Sequence, residues 1–247
     1  RAVGTPGEPP RCFSDFVLPV SWLRIPCSTK FHLYAATGPM AQPARWTEQA
    51  LLLIIQVIKA FSTGATFIMT DTPIHVFLSH GLESGPGSTK IQAMKAESET
   101  FPGIQAHAID HSSTRDPATR LAQMREAMAE CNAKPENTIL AGSSMGGWVC
   151  AQTSSETPVL GCFMLAPALA MARYPQSSPL IQADHRQIIH GWDDDVVPVA
   201  PVLDLARDQG LPILVLPDGH RLENSLDRVV SEFREFLQTC LSDMNRP

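Results

Sequence analysis

The chain has 247 residues with 19 basic and 25 acidic side chains, a formal net charge of −6. The charge is unevenly spread: residues 1–68 carry six basic and three acidic residues and net +3, whereas residues 69–247 net −9. An acidic unit of that kind argues against nucleic acid or an anionic membrane surface as partner and fits a small neutral or diffusible substrate.

Residues 1–68 hold seven prolines and short apolar clumps that match neither a strand nor a helix period. Within them only TEQALLLIIQVIKAF, residues 47–61, reads as a helix. Its apolar run from Ala50 to Ile58, bracketed by Glu48 and Lys59, is too short for a membrane span. It also lies far from the N-terminus and meets Lys59 before any small-residue cleavage site, a poor pattern for a signal peptide. Residues 1–68 are therefore expected to be a disordered or non-native extension, and residues 69–247 the folded unit. The six cysteines include no CxxC pair and so offer no metal-ligand or redox spacing, which points to a reducing, cytoplasmic compartment.

From Met69 onward, apolar runs of strand length alternate with amphipathic stretches of helix length. IHVFLS, from Ile74 to Ser79, predicts a buried strand that stops at His80-Gly81 and the turn LESGPGS. A helix is predicted over Thr89–Glu99, a strand over Ile104–Ile109, and a helix over Pro117–Cys131 with Pro117 in its first turn and Asp116 as cap. A short strand at Thr138–Ala141 runs into Gly142, and helix-compatible sequence resumes at Met145. Strands are predicted at Val159–Leu165, Gln187–Ile189 and Ile213–Leu216, with a helix after Pro198 and a last one over Leu222–Leu241. Apolar strands without polar alternation belong to a sheet buried on both faces, so the expected fold class is α/β with a mostly parallel central sheet.

In such folds the chemistry sits past the carboxyl ends of the strands. The residues there are HGLES after the first strand, GSSMGG after Thr138–Ala141, HGWDDDVVP after Gln187–Ile189, and PDGHRLEN after the last strand. GSSMGG fits the elbow pattern G-x-S-x-G only with Ser144, flanked by Gly142 and Gly146; Ser143 would need glycines where Ala141 and Met145 stand. Alone, the pattern also fits a small-residue turn or an anion-binding helix start. A serine nucleophile needs a histidine base and an acid to orient it, in the chain order serine, acid, histidine on this kind of sheet. His220 is the candidate base, while His80 and His190, each before a glycine at a strand end, read as structural residues. For the acid, Asp193, Asp194 and Asp195 are left open by spacing. Trp148 reads as core, and Trp192 as a wall of the acyl pocket.

His190, Gly191, Asp194, Val197 and Pro198 match the HGxxDxxVP motif of the α/β-hydrolase superfamily. GSSMGG and DGH resemble that family's elbow and histidine loop, and HGLES resembles its oxyanion-hole loop. The resemblance runs from Pro73 to Leu241 and is to small bacterial carboxylesterases of the YqiA type. It implies the α/β-hydrolase fold, Asp194 as triad acid with Ser144 and His220, and backbone N–H groups of Leu82 and Met145 as oxyanion donors. It also implies a serine esterase acting on small or short-chain carboxylic esters, with no metal or cofactor. A thioesterase, amidase or perhydrolase on the same triad, or a non-catalytic binding protein of the same fold, are the alternatives. Between Pro167 and Asp184, where larger members insert a helical cap, ALAMARYPQSSPLIQAD is too short for one, so an open site with a minimal cap is expected.

Overall fold

The computed structural model describes residues 73–244. The extension over residues 1–68 and the helix expected over residues 47–61 lie outside the described residues. Six strands, β1 (Ile74–Ser79), β2 (Ile104–Ile109), β3 (Thr138–Ser143), β4 (Val159–Leu165), β5 (Ala183–Gly191) and β6 (Ile213–Leu216), form one sheet in the order β2-β1-β3-β4-β5-β6. Every adjacent pair is parallel. The helices are α1 (Thr89–Ser98), α2 (Pro117–Glu130), α3 (Met145–Glu156), α4 (Val199–Gln209) and α5 (Leu226–Met244).

Alternate strand residues feed two separate apolar layers, as the pleat requires. Phe77, Leu140, Cys162, Met164 and Ile188 pack with Met124 and Met128 of α2, Trp148 and Val149 of α3, and Val202 and Leu205 of α4. Val76, Leu78, Ile139, Phe163 and Ile189 turn the other way, onto Ile91 and Met94 of α1 and Val229, Phe233 and Leu237 of α5. Burial of this sheet on both faces explains why β1, β3 and β4 read as continuous apolar runs. The ion pair of Arg234 with Glu97 ties α5 to α1 on the second face. Asp116 caps α2 as expected, its Oδ2 accepting the Thr119 N–H at 2.7 Å ahead of Pro117.

Two boundaries differ most from the sequence expectation, both at the start of an element. β5 begins at Ala183 rather than Gln187, and its polar first half, ADHR, pairs with β4. Because β6 has four residues and meets β5 only at 188–191, that first half has no partner strand on its other side among the described residues and tolerates polar residues. The last helix begins at Leu226 rather than Leu222: Leu222 has φ 52 and is fully buried, its N–H bonded to the Gly219 carbonyl. Residues 166–182, between β4 and β5, contain no helix. No helix among the described residues is long and apolar enough to cross a membrane.

Candidate active site

All four strand-end loops meet on one rim of the sheet. β3 delivers Ser144 into a backbone conformation of φ 56 and ψ −119, and α3 starts at the next residue. A non-glycine residue at positive φ is uncommon and strained. It is held here by the Ser144 N–H bonded to the Leu165 carbonyl and by the Ala168 and Trp148 N–H groups on the Ser144 carbonyl. The flanking glycines have a steric reason. A Cβ on Gly146 would stand 2.0 Å from the Ser79 carbonyl oxygen, and one on Gly142 would stand 2.3 Å from the Gly146 carbonyl oxygen.

His220 arrives on the loop after β6. Asp218 braces that loop by accepting the Gly219 N–H at 2.8 Å and the Asn224 amide at 3.3 Å. The loop after β5 is stitched beside it, with the Trp192 N–H on the Leu216 carbonyl and the Asp193 N–H on the Asp218 carbonyl. His220 Nδ1 then lies 2.8 Å from Asp194 Oδ2, and His220 Nε2 lies 2.9 Å from Ser144 Oγ. With the carboxylate as acceptor, Nδ1 carries the proton, and Nε2 is free to accept the Ser144 hydroxyl proton.

The three adjacent aspartates separate by burial. Asp193 and Asp195 are exposed, whereas Asp194 is buried. Its Oδ1 accepts the Val196 and Val197 N–H groups at 2.9 and 2.7 Å, and its Oδ2 meets His220 and, at 3.1 Å, His190 Nε2. Burial opposes the charge on Asp194, but the hydrogen bonds from His190, His220 and Val197 outweigh it and hold the carboxyl well below the usual carboxylate range. His190, fully buried, also touches the Val197 carbonyl at 2.9 Å, so it braces the acid from behind.

Met145 is the first residue of α3, and its N–H has no acceptor inside the helix. The Leu82 N–H is oriented by a residue that sequence reading passed over, Arg120 of α2. Its buried guanidinium donates to the carbonyls of His80 at 3.1 Å, Gly81 at 3.2 Å and Leu82 at 3.3 Å, and its Nε to the Thr114 carbonyl at 3.1 Å. His80 Nε2 accepts the His111 N–H at 3.0 Å, which leaves the proton on Nδ1 to be donated to the Gly81 carbonyl at 2.7 Å. With the Gly81 carbonyl pinned on that side, the trans peptide turns the Leu82 N–H the opposite way. An arginine among apolar helix positions was the one available signal; what it would hold, about forty residues away, was not legible.

Ser144, His220 and Leu82 line a cavity of about 630 Å³ together with Lys90, Arg173 and Val196. Trp148 is core, stacked on Tyr174 with its Nε1 donating to the Gln176 carbonyl. Trp192 departs from the sequence expectation: it is 57% exposed and is not part of the cavity wall. Away from this rim, His75, His107 and Cys131 bring three metal-ligating atoms within 4.8 Å of one another, with His75 Nδ1 and His107 Nε2 sharing a hydrogen bond at 3.1 Å. They come from β1, β2 and the end of α2, so no sequence spacing announces them.

A family model described as "Uncharacterised protein family (UPF0227)" matches residues 75–196. Among solved structures, the chain is similar to a Xanthomonas campestris pv. campestris protein assigned to the hydrolases of the alpha/beta superfamily, at 27% identity, 68% of this chain, 99% of that chain and a TM-score of 0.59. It shares its fold with Est1E from Butyrivibrio proteoclasticus, at 14% identity over 71% of this chain and 91% of that one with a TM-score of 0.57. The ydeN gene product of B. subtilis shares it too, at 18% identity over 68% and 99% with a TM-score of 0.56. No curated protein matches the sequence significantly.

Proposed function

We propose that this chain, a member of the α/β-hydrolase superfamily, is a serine hydrolase that cleaves small carboxylic esters through an acyl-enzyme. The observation that carries the reading is His220, hydrogen-bonded at once to Ser144 Oγ at 2.9 Å and to the buried Asp194 at 2.8 Å. The superfamily assignment of the Xanthomonas protein supports hydrolysis as the reaction class.

In this reading His220 Nε2 takes the hydroxyl proton as Ser144 Oγ attacks the acyl carbonyl. Asp194 keeps the imidazole in the right tautomer and stabilises the imidazolium that forms. The tetrahedral oxyanion is met by the N–H groups of Leu82 and Met145, each such donor contributing roughly 3–4 kcal/mol to the transition state. His220 returns its proton to the leaving oxygen, and water then repeats the sequence on the acyl-enzyme. The loop over residues 166–182, without a helix to roof the cavity, favours small substrates that reach the serine from solvent.

The test is labelling with a fluorophosphonate probe alongside turnover of an activated aryl acetate. Wild type should be labelled at Ser144, and Ser144→Ala should lose both label and roughly 10⁴–10⁶-fold in kcat. A folded wild-type protein that takes no label and cleaves no ester would identify a binding protein instead.

A further inference from the structure

Lys90 stands in the first turn of α1 and lines the same cavity as Ser144 and His220. It is half-buried, and among the described residues its ammonium has no hydrogen bond or ion pair. The carboxylates that act on it do so without a hydrogen bond: Asp194 is bonded to His220 and His190, Glu223 lies 3.4 Å from Arg221, and Asp218 holds the Gly219 N–H and Asn224 through Oδ1. Burial pushes the ammonium down to about 8 against the pull of Glu223, Asp194 and Asp218, so it remains largely charged at pH 7. A half-buried cation with no hydrogen-bonded partner among the described residues, on the wall of the cavity that holds the nucleophile, can take an anionic group of a ligand.

The position of Lys90 says which part of the substrate supplies it. Lys90 shares the cavity wall with His220, Arg221 and Glu223, which all stand on the loop after β6. His220 must deliver its proton to the leaving oxygen, so that side of the cavity receives the leaving alcohol. The other two cations on the wall are exposed: Arg173, whose guanidinium lies 5.4 Å from the centre of the Tyr174 ring, and Arg221, which pairs with Glu223.

Resting on the ester-hydrolase reading, we propose that Lys90 binds a carboxylate on the alcohol portion of the substrate, which makes the preferred substrates esters of hydroxy acids. Lys90 is a specificity residue in this proposal: it touches the substrate away from the reacting atoms.

The matched pair 4-acetoxybenzoate and its neutral methyl ester tests it, because both give the same acetyl-enzyme and differ only in the charge on the leaving group. Wild type should favour the carboxylate by about tenfold or more in kcat/KM, the range of one charge-assisted hydrogen bond. Lys90→Met should abolish that preference, mostly through KM; Lys90→Arg and Arg173→Gln should keep it. Equal or better use of the methyl ester by wild type, or a Lys90→Met variant that retains the ratio, overturns the proposal. Calorimetric binding of 4-acetoxybenzoate to Ser144→Ala, with and without Lys90→Met, separates the two readings. If no ester is cleaved, the hydrolase reading falls, and a loss of binding specific to Lys90→Met still supports the anion site; equal binding by both proteins rejects it.

Discussion

Replacing Arg120 by methionine removes a guanidinium that bonds four backbone carbonyls and, among the described residues, no carboxylate. Methionine fills much of the same volume, so the perturbation falls mainly on the carbonyls. The Gly81 oxygen keeps His80 Nδ1 as a partner at 2.7 Å, whereas the His80 and Leu82 oxygens have no other donor among the described residues. Each buried carbonyl left bare costs about 1–3 kcal/mol, and relief from burying the cation offsets part of it, so a net loss of about 2–4 kcal/mol is expected. The catalytic effect is bounded above by loss of a whole oxyanion donor, about 10²–10³ in kcat. Because the Gly81 carbonyl keeps two of its three side-chain donors, His80 Nδ1 and Ser84 Oγ, a drop of roughly 10–100-fold in kcat with KM little changed is the expected result. The assay is steady-state hydrolysis of an aryl acetate well below the variant's melting temperature, with fluorophosphonate labelling to count intact nucleophiles. Affinity for a trifluoromethyl ketone, which presents the tetrahedral oxyanion, should fall in parallel with kcat. A folded, fully labelled variant with wild-type kcat and wild-type ketone affinity would refute the idea that Arg120 aims the Leu82 N–H.

Asp194→Asn should lower kcat by roughly 10⁴, the cost of presenting the wrong imidazole tautomer, while Asp193→Asn and Asp195→Asn should stay within a few-fold of wild type. Comparable losses at all three positions, measured on one ester, would contradict the assignment of Asp194. His111 carries a prediction about acid stability. Burial pushes its imidazole down to about 4, with the charges of Arg120 and His80 adding to that and the hydrogen bond to Gln123 and the charge of Asp110 opposing it. The unfolded chain therefore binds a proton that the folded one refuses between about pH 6.5 and 4, and stability contributed by this group is complete above 6.5 and lost as pH falls through that window. Urea denaturation of His111→Gln should show a shallower loss of stability over the same interval; an unchanged slope would mean that His111 is not the group responsible.

Much of the fold was legible because its causes are local. Continuous apolar runs at β1, β3 and β4 can only be strands buried on both faces, and Pro117 behind Asp116 marks a helix start by backbone geometry alone. The elbow was legible for the same reason, since Gly142 and Gly146 answer to steric limits within a few residues of Ser144 and at the neighbouring strand end. Where a boundary depended on a distant neighbour the reading slipped. The polar half of β5 is a strand only because β4 pairs with it, and the turn at Leu222 exists only because the core takes that side chain.

The site divides along the same line. Residue types and chain order were enough to single out Ser144 and His220, and a resemblance was needed to choose among three aspartates whose spacing is equivalent. Tertiary structure distinguishes those aspartates by burial and by the N–H groups of Val196 and Val197, and it removes Trp192 from the cavity wall. It alone brings Arg120 beneath the 80–82 loop and Lys90 into the cavity beside His220. Hydrogen bonds between residues 76 apart, as from Ser144 to His220, leave no periodicity in a sequence. Their partners are chosen by how the strands and helices pack, and that choice exists only once the chain has folded.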